Sequence, residues 1–171
     1  KVQGTARLHD DMDELRRWFQ SDNCVASDLL VLTGGSSTSE VDLVRQLLSE
    51  LDAHYIFEAV AVRPGHPCLA AELPDGRIVL GLPGNPLAAH TALYSYLPAY
   101  LAGVAGQNLS ELLSVELTED IPPFKKADAR LIPARVTGEK ARPFRRGVDS
   151  HMLSAFAQAQ ALVVIPPEGA V

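Results

Sequence analysis

Cysteine is scarce in this chain. Two residues of 171, Cys24 and Cys68, stand far apart and outside any CxxC spacing. A disulfide framework or a cysteine-built zinc site does not fit that count, and the thiols read as buried groups of a reducing, cytoplasmic protein. Long apolar runs are missing too. No stretch approaches the roughly 20 residues of a membrane-spanning helix, and the first residues lack a signal-peptide pattern. Positive charge is outweighed, with 15 Lys and Arg against 21 Asp and Glu for a net charge of -6, which argues against a nucleic-acid-binding surface. An anion site must therefore be built locally, from backbone amides and a few cations. No G-x-S-x-G elbow occurs, so Ser150-His151 is a poor basis for nucleophilic catalysis. Internal repeats and low-complexity tracts are absent as well. What remains is an ordinary globular composition, 47% hydrophobic and 21% charged, long enough for a domain plus an appendage.

The stretch Gly81-Leu82-Pro83-Gly84-Asn85-Pro86 stands out. It ends the apolar run Arg77-Ile78-Val79-Leu80 and opens a helical pattern at Leu87-Ala88-Ala89. Proline fixes φ and removes a donor, while Gly and Asn tolerate positive φ, so the segment is a stiff turn of set shape. On its own it could be only a well-made strand-to-helix connection with Pro86 at the first helical position. A second turn of the same kind, Thr33-Gly34-Gly35-Ser36-Ser37-Thr38-Ser39-Glu40, lies between another strand and helix pattern.

The spacing elsewhere predicts alternating elements. A first helix is capped by Asp10 or Asp11, with Leu15, Trp18 and Phe19 on its apolar face. Leu29-Leu30-Val31-Leu32 reads as a strand buried on both faces of a parallel sheet. A helix over about 40–51, a strand over about 55–62, a strand pair turning at Pro74-Asp75-Gly76, and a helix from Pro86 to about Gly103, kinked or split at Pro98, complete the pattern. The fold class is α/β: a three-layer domain with a mostly parallel sheet over residues 1–108, its first strand missing, followed by a small, incomplete, mostly-β domain over 109–171. Strands in the second part are expected at 114–117, 131–136 and 161–165, with one brief helix over 152–158.

Ligands of open α/β sheets bind beyond the C-terminal ends of the strands. Three connectors meet that description: residues 33–40, 63–67 and 81–86. The first offers Gly amides and hydroxyls at a helix start, suited to a tetrahedral anion, although such a loop often does no more than cap a helix. Asp42 is either a carboxylate complementing the helix dipole or a hard oxygen ligand for Mg²⁺ beside a phosphate, and Glu40 either supports it or closes a capping box. Arg63 and His66 flank Pro64-Gly65 and supply a forked donor and a titratable ring. Lys125, Lys126, Arg130, Arg142, Arg145 and Arg146 make the second part locally basic.

Taken together, these segments resemble the C-terminal part of the MoeA/gephyrin E-domain family, the molybdopterin molybdenumtransferases. Asp28-Leu29-Leu30-Val31-Leu32-Thr33-Gly34-Gly35-Ser36-Ser37 resembles that family's D-hydrophobic-T/S-G-G-x-S signature, and Glu40 with Asp42 its E-x-D. Arg63-Pro64-Gly65-His66-Pro67 is similar to K-P-G-K-P, and Leu82-Pro83-Gly84-Asn85-Pro86 matches L-P-G-N-P without change. Ser150-His151-Met152-Leu153-Ser154 and Ala161-Leu162-Val163-Val164-Ile165-Pro166 resemble motifs of its last β domain.

The resemblance implies insertion of molybdate into adenylylated molybdopterin with Mg²⁺ and release of AMP. It assigns Asp42 to the metal, with Gly34, Gly35 and Ser37 to the pterin phosphate. Arg63, His66, Arg130 and Ser150 go to molybdate or a substrate anion, and Pro83, Asn85 and Pro86 to the pocket wall. It also implies a homodimer in the full-length protein. The family has Gly at position 39 and lysines at 63 and 66, whereas this chain has Ser39, Arg63 and His66. The family's first sheet strand, with S-T-G-D-E, its N-terminal domains and its closing β strand are not matched, so a C-terminal fragment, inactive alone, is expected. A non-catalytic pterin-binding or scaffold relative is the alternative, and a related adenylyltransferase is a third reading that the Leu-Pro-Gly-Asn-Pro loop disfavours.

Overall fold

A computed structural model describes residues 1–34, 43–144 and 153–170. The elements in chain order are α1 (Met12–Phe19), α2 (Asp22–Val25), β1 (Leu29–Thr33), α3 (Leu43–Glu50), β2 (His54–Glu58), β3 (Val62–Arg63), β4 (Leu69–Glu72), β5 (Ile78–Leu82), α4 (Pro86–Val104), β6 (Glu116–Leu117), β7 (Ala129–Thr137), β8 (Lys140–Pro143), α5 (Leu153–Gln158) and β9 (Ala161–Ile165). They fall into two compact units, residues 1–60 with 67–84 and residues 61–66 with 85–171.

The first unit is a four-stranded sheet in the order β1-β5-β4-β2. Asp11 starts α1 by accepting the Glu14 N–H at 2.7 Å. Leu15 and Phe19 recur at i and i+4 and bury one helix face, and Val44, Leu47 and Leu48 do the same for α3. Both faces join Leu30, Leu69, Ala71, Leu73 and Val79 of the sheet in one apolar core, with Cys24 at its side.

The α/β class is as the pattern predicts, but the sheet is mixed. Only β1 and β5 pair in parallel, while β4 pairs antiparallel with both β5 and β2. The reason is connection length. Pro74-Asp75-Gly76, with Gly76 at φ +88, closes a hairpin, which enforces antiparallel pairing. Even so, these registers make β1, β5 and β2 run one way with β4 alone opposed, so Thr33, Glu58 and Leu82 end at one rim.

Two further expectations change. The strand expected over 55–62 stops at Glu58, where Ala59 takes φ +103, and residues 62–63 form β3 in the other sheet. Strand β1 is buried on one side only: Leu30 is 4% exposed and Val31 40%. Among the described residues β1 pairs with β5 alone, and a strand at a sheet edge keeps an open flank. Both thiols are buried and free, as expected.

The second unit is a five-stranded sheet built on the long strand β7. Its edges carry β3 and β8 on one side, at opposite ends, and β9 on the other. Short β6 pairs with β8, a strand the sequence pattern missed. Helix α4 continues through Pro98, so the proline does not split it. Its ring partner His90 and exposed Tyr94 flank Phe156 of α5 at 5.5 and 5.4 Å between ring centroids.

Candidate functional site

Backbone builds the rim of the first unit. Thr33 ends β1, and Gly34 turns away at φ +85, a conformation that glycine adopts without penalty. The Gly34 N–H donates to the Leu82 carbonyl at 3.2 Å, which ties the exit of β1 to the exit of β5. Pro83 is buried and Gly84 exposed, and a Cβ placed on Gly84 would lie 3.5 Å from the Gly34 Cα. Two glycines thus face each other across neighbouring strand ends. The Ala59 N–H, donating to the Cys68 carbonyl at 2.9 Å, closes the base of the excursion that leaves β2. At the start of α4, the Asn85 side chain accepts the Ala88 N–H at 3.1 Å and Pro86 occupies the first turn. The side-chain oxygen of Asn85 is therefore engaged in capping.

Side chains build a different cluster in the second unit. Register places Arg63 of β3, Arg130 of β7 and Ile165 of β9 side by side on one sheet face. The Arg63 Nε donates to Asp128 Oδ2 at 2.6 Å, with the carboxylate side chain only 14% exposed. Arg130 is held otherwise. Its Nη2 donates to the Pro122 carbonyl, its guanidinium carbon sits 5.4 Å from the Phe124 ring centroid, and its Nε is buried without a hydrogen bond. His66 is half-buried in the same segment as Arg63.

The residues singled out in the sequence therefore separate. Gly34 and Pro83 belong to the first unit, and Arg63, His66, Asn85, Pro86 and Arg130 to the second. Gly35, Ser37, Ser39, Asp42 and Ser150 lie outside the described residues. Sequence reasoning missed Gly84 as the partner of Gly34 and missed Asp128 altogether. The fixed shape of Leu-Pro-Gly-Asn-Pro was a signal for the first. An acidic residue just before a strand is too common to have flagged the second.

Neither thiol is suited to covalent chemistry. Burial pushes Cys68 up to about 12 and raises Cys24 as well, and the Arg77 guanidinium beside Cys24 only partly opposes this. Among the described residues no three His, Cys, Asp or Glu side chains group as metal ligands, so the Mg²⁺ reading rests on Asp42. Among them, also, no helix is long and apolar enough to cross a membrane.

Residues 1–102 match the family model described as a probable molybdopterin binding domain. The chain belongs to that family. Residues 114–171 match the model for the MoeA C-terminal region, domain IV. The chain is 32% identical over 146 residues to the molybdopterin molybdenumtransferase of Staphylococcus epidermidis, covering 81% of this chain and 34% of the relative. The protein of the same name from Staphylococcus aureus is 29% identical over the same shares. The chain thus spans about a third of the length of the curated relatives it matches. The fold is shared with a molybdenum cofactor biosynthesis protein of Pyrococcus furiosus, at TM-score 0.70 and 22% identity over 95% of this chain and 52% of the other. It is shared equally with the molybdopterin biosynthesis MoeA protein of Pyrococcus horikoshii, at TM-score 0.70 and 19% identity over 95% of this chain and 38% of the other.

Proposed function

We propose that this chain carries the pterin-binding and C-terminal portions of a molybdopterin molybdenumtransferase, a cytoplasmic enzyme of molybdenum cofactor biosynthesis. The reaction inserts molybdate into adenylylated molybdopterin and releases AMP. The observation that carries the reading is the meeting of Gly34 and Gly84 where β1 and β5 end, with the Leu82-Pro83-Gly84-Asn85-Pro86 turn setting the second glycine in place. The Gly34 N–H is already given to the Leu82 carbonyl, so what the two glycines contribute is room: with no Cβ at either, a phosphate can come close to the other amides of these turns.

In this reading Gly34, Gly35 and Ser37 cradle the pterin phosphate, and Pro83, Asn85 and Pro86 form a stiff wall. Arg63, His66, Arg130 and Ser150 bind molybdate or the anionic end of the substrate and orient it. Asp42 holds Mg²⁺, which when bound supplies positive charge against phosphate oxygens. The partners are small molecules together with a second copy of the full-length protein, and neither nucleic acid nor membrane is among them.

The test is Gly84→Val. A Cβ there makes only ordinary contact with Gly34, so the variant folds, but its branches fill the gap between the glycines. Affinity for adenylylated molybdopterin should fall at least about tenfold with the melting temperature nearly unchanged. Unaltered affinity in the folded variant removes the rim from the account. A non-catalytic pterin-binding or scaffold protein is the second reading, favoured by Arg63 and His66 standing where the resembling family has lysines. Turnover by a longer natural protein carrying these residues decides against it.

A further inference from the structure

We infer that Asp128 is a positioning residue for an oxyanion: it fixes the Arg63 guanidinium through Nε and leaves the Nη edge free to grip the anion. The inference rests on reading Arg63 as an anion-binding residue.

Arg63 lies on the two-residue strand β3, which among the described residues pairs with β7 alone. So short a strand gives a long side chain little packing to hold one rotamer, and the chain carries about 2 kcal/mol of rotamer entropy to lose. Asp128 stands one residue before β7 and supplies the restraint. Its Oδ2 takes the Arg63 Nε–H at 2.6 Å, a charge-assisted bond in a site where the carboxylate is 14% exposed and the arginine side chain 38%.

The choice of atom matters. A guanidinium gripped at its Nη fork is neutralised at the edge that recognises tetrahedral anions, whereas one gripped at Nε keeps both Nη groups available. The neighbouring Arg130 is pinned by the Pro122 carbonyl and the Phe124 ring, without an acid. Two guanidinium groups and one carboxylate leave the cluster one positive charge, with Arg63 held at Nε and Arg130 at one Nη. A lysine at position 63 cannot reproduce this, because its single nitrogen would have to serve the carboxylate and the anion at once. Asp128 thus supports the arginine that this chain has in that position.

Coulomb's law gives the test a decisive sign. Removing a carboxylate beside an anion site strengthens anion binding by charge alone. Lost positioning weakens it. Molybdate binding to the full 171-residue chain is measured by equilibrium dialysis for the parent, Arg63→Ala, Arg63→Lys, Asp128→Asn and Asp128→Asn combined with Arg63→Lys. The expected result is a loss of about tenfold for Asp128→Asn, as small misplacements of a binding group produce, and no loss, or a gain, from Asp128→Asn once position 63 is Lys. Without ligand, the Arg63 Nε–H resonance should be downfield and slow to exchange in the parent and lose both features in Asp128→Asn. Binding unchanged or strengthened by Asp128→Asn, while Arg63→Ala abolishes it, overturns the positioning role and leaves the anion reading standing. Molybdate binding that ignores Arg63→Ala, or is absent from the parent, overturns the anion reading and this inference with it.

Discussion

The two places proposed to take negative charge are made of different materials. At the rim of the first unit the proposed site is bare main chain: Gly34 and Gly84, facing each other on a tightly packed apolar sheet. In the second unit they are side chains: Arg63 and Arg130, held by Asp128, Pro122 and Phe124. A backbone cradle owes its shape to the core beneath it and discriminates by access. A guanidinium pair owes its shape to local hydrogen bonds and discriminates by charge. Core damage should therefore strike the first, and loss of a single acid the second.

The largest effect falls beneath the rim. Gly81 of β5 faces Leu69 of β4, and a Cβ at Gly81 would lie 2.7 Å from the Leu69 Cγ. Leu69 is fully buried and cannot retreat. Gly81→Val should lower unfolding stability by about 3 kcal/mol or more, read by urea denaturation. A cost below about 1 kcal/mol would mean that the rim does not depend on a rigid core.

An intermediate effect separates the two rim glycines. Gly34→Ala forces φ +85 on a residue with a Cβ and should cost about 1–2 kcal/mol. Gly84→Ala meets only a 3.5 Å contact and should cost close to nothing. Equal losses, measured by thermal unfolding, would show that the two positions share one constraint, in place of strain at one and access at the other.

A last effect, confined to alkaline pH, is a limb that reports how dry the core is. The Cys68 thiol ordinarily ionises near 9.0 and is pushed up to about 12 by burial alone. Below about 9 it is neutral in both folded and unfolded chains. Between 9 and 12 the unfolded chain loses that proton while the folded one keeps it, so stability declines as pH rises through this window. Cys68→Ala should flatten that decline, measured by denaturation from pH 8 upward. An unaltered slope would mean that water reaches the thiol.

Periodicity and turn chemistry made the local elements legible. The i, i+4 repeats of α1 and α3, the hairpin at Pro74-Asp75-Gly76 and the start of α4 at Pro86 were all readable because each depends on neighbours in sequence. Pairing partners were not. Nothing local in Val62-Arg63 tells that the chain leaves β2 at Glu58 and pairs with β7, more than 60 residues away. The same holds for β8, whose Lys140-Ala141-Arg142-Pro143 is too polar and too short to signal a strand until β7 lies beside it. Among the site residues, Gly34 and Pro83 were visible through turn chemistry. Asp128 was invisible, because its role is set by a contact across 65 positions.

Titrating an isotope-labelled chain with molybdate and, separately, with adenylylated molybdopterin, and following backbone and arginine resonances, tests this division of labour most directly. Molybdate should move the Arg63 and Arg130 signals and spare Gly34 and Gly84, while the pterin nucleotide should move the two glycines. Molybdate shifting the glycines and sparing both arginines, or the pterin nucleotide leaving the glycines untouched, would contradict the account.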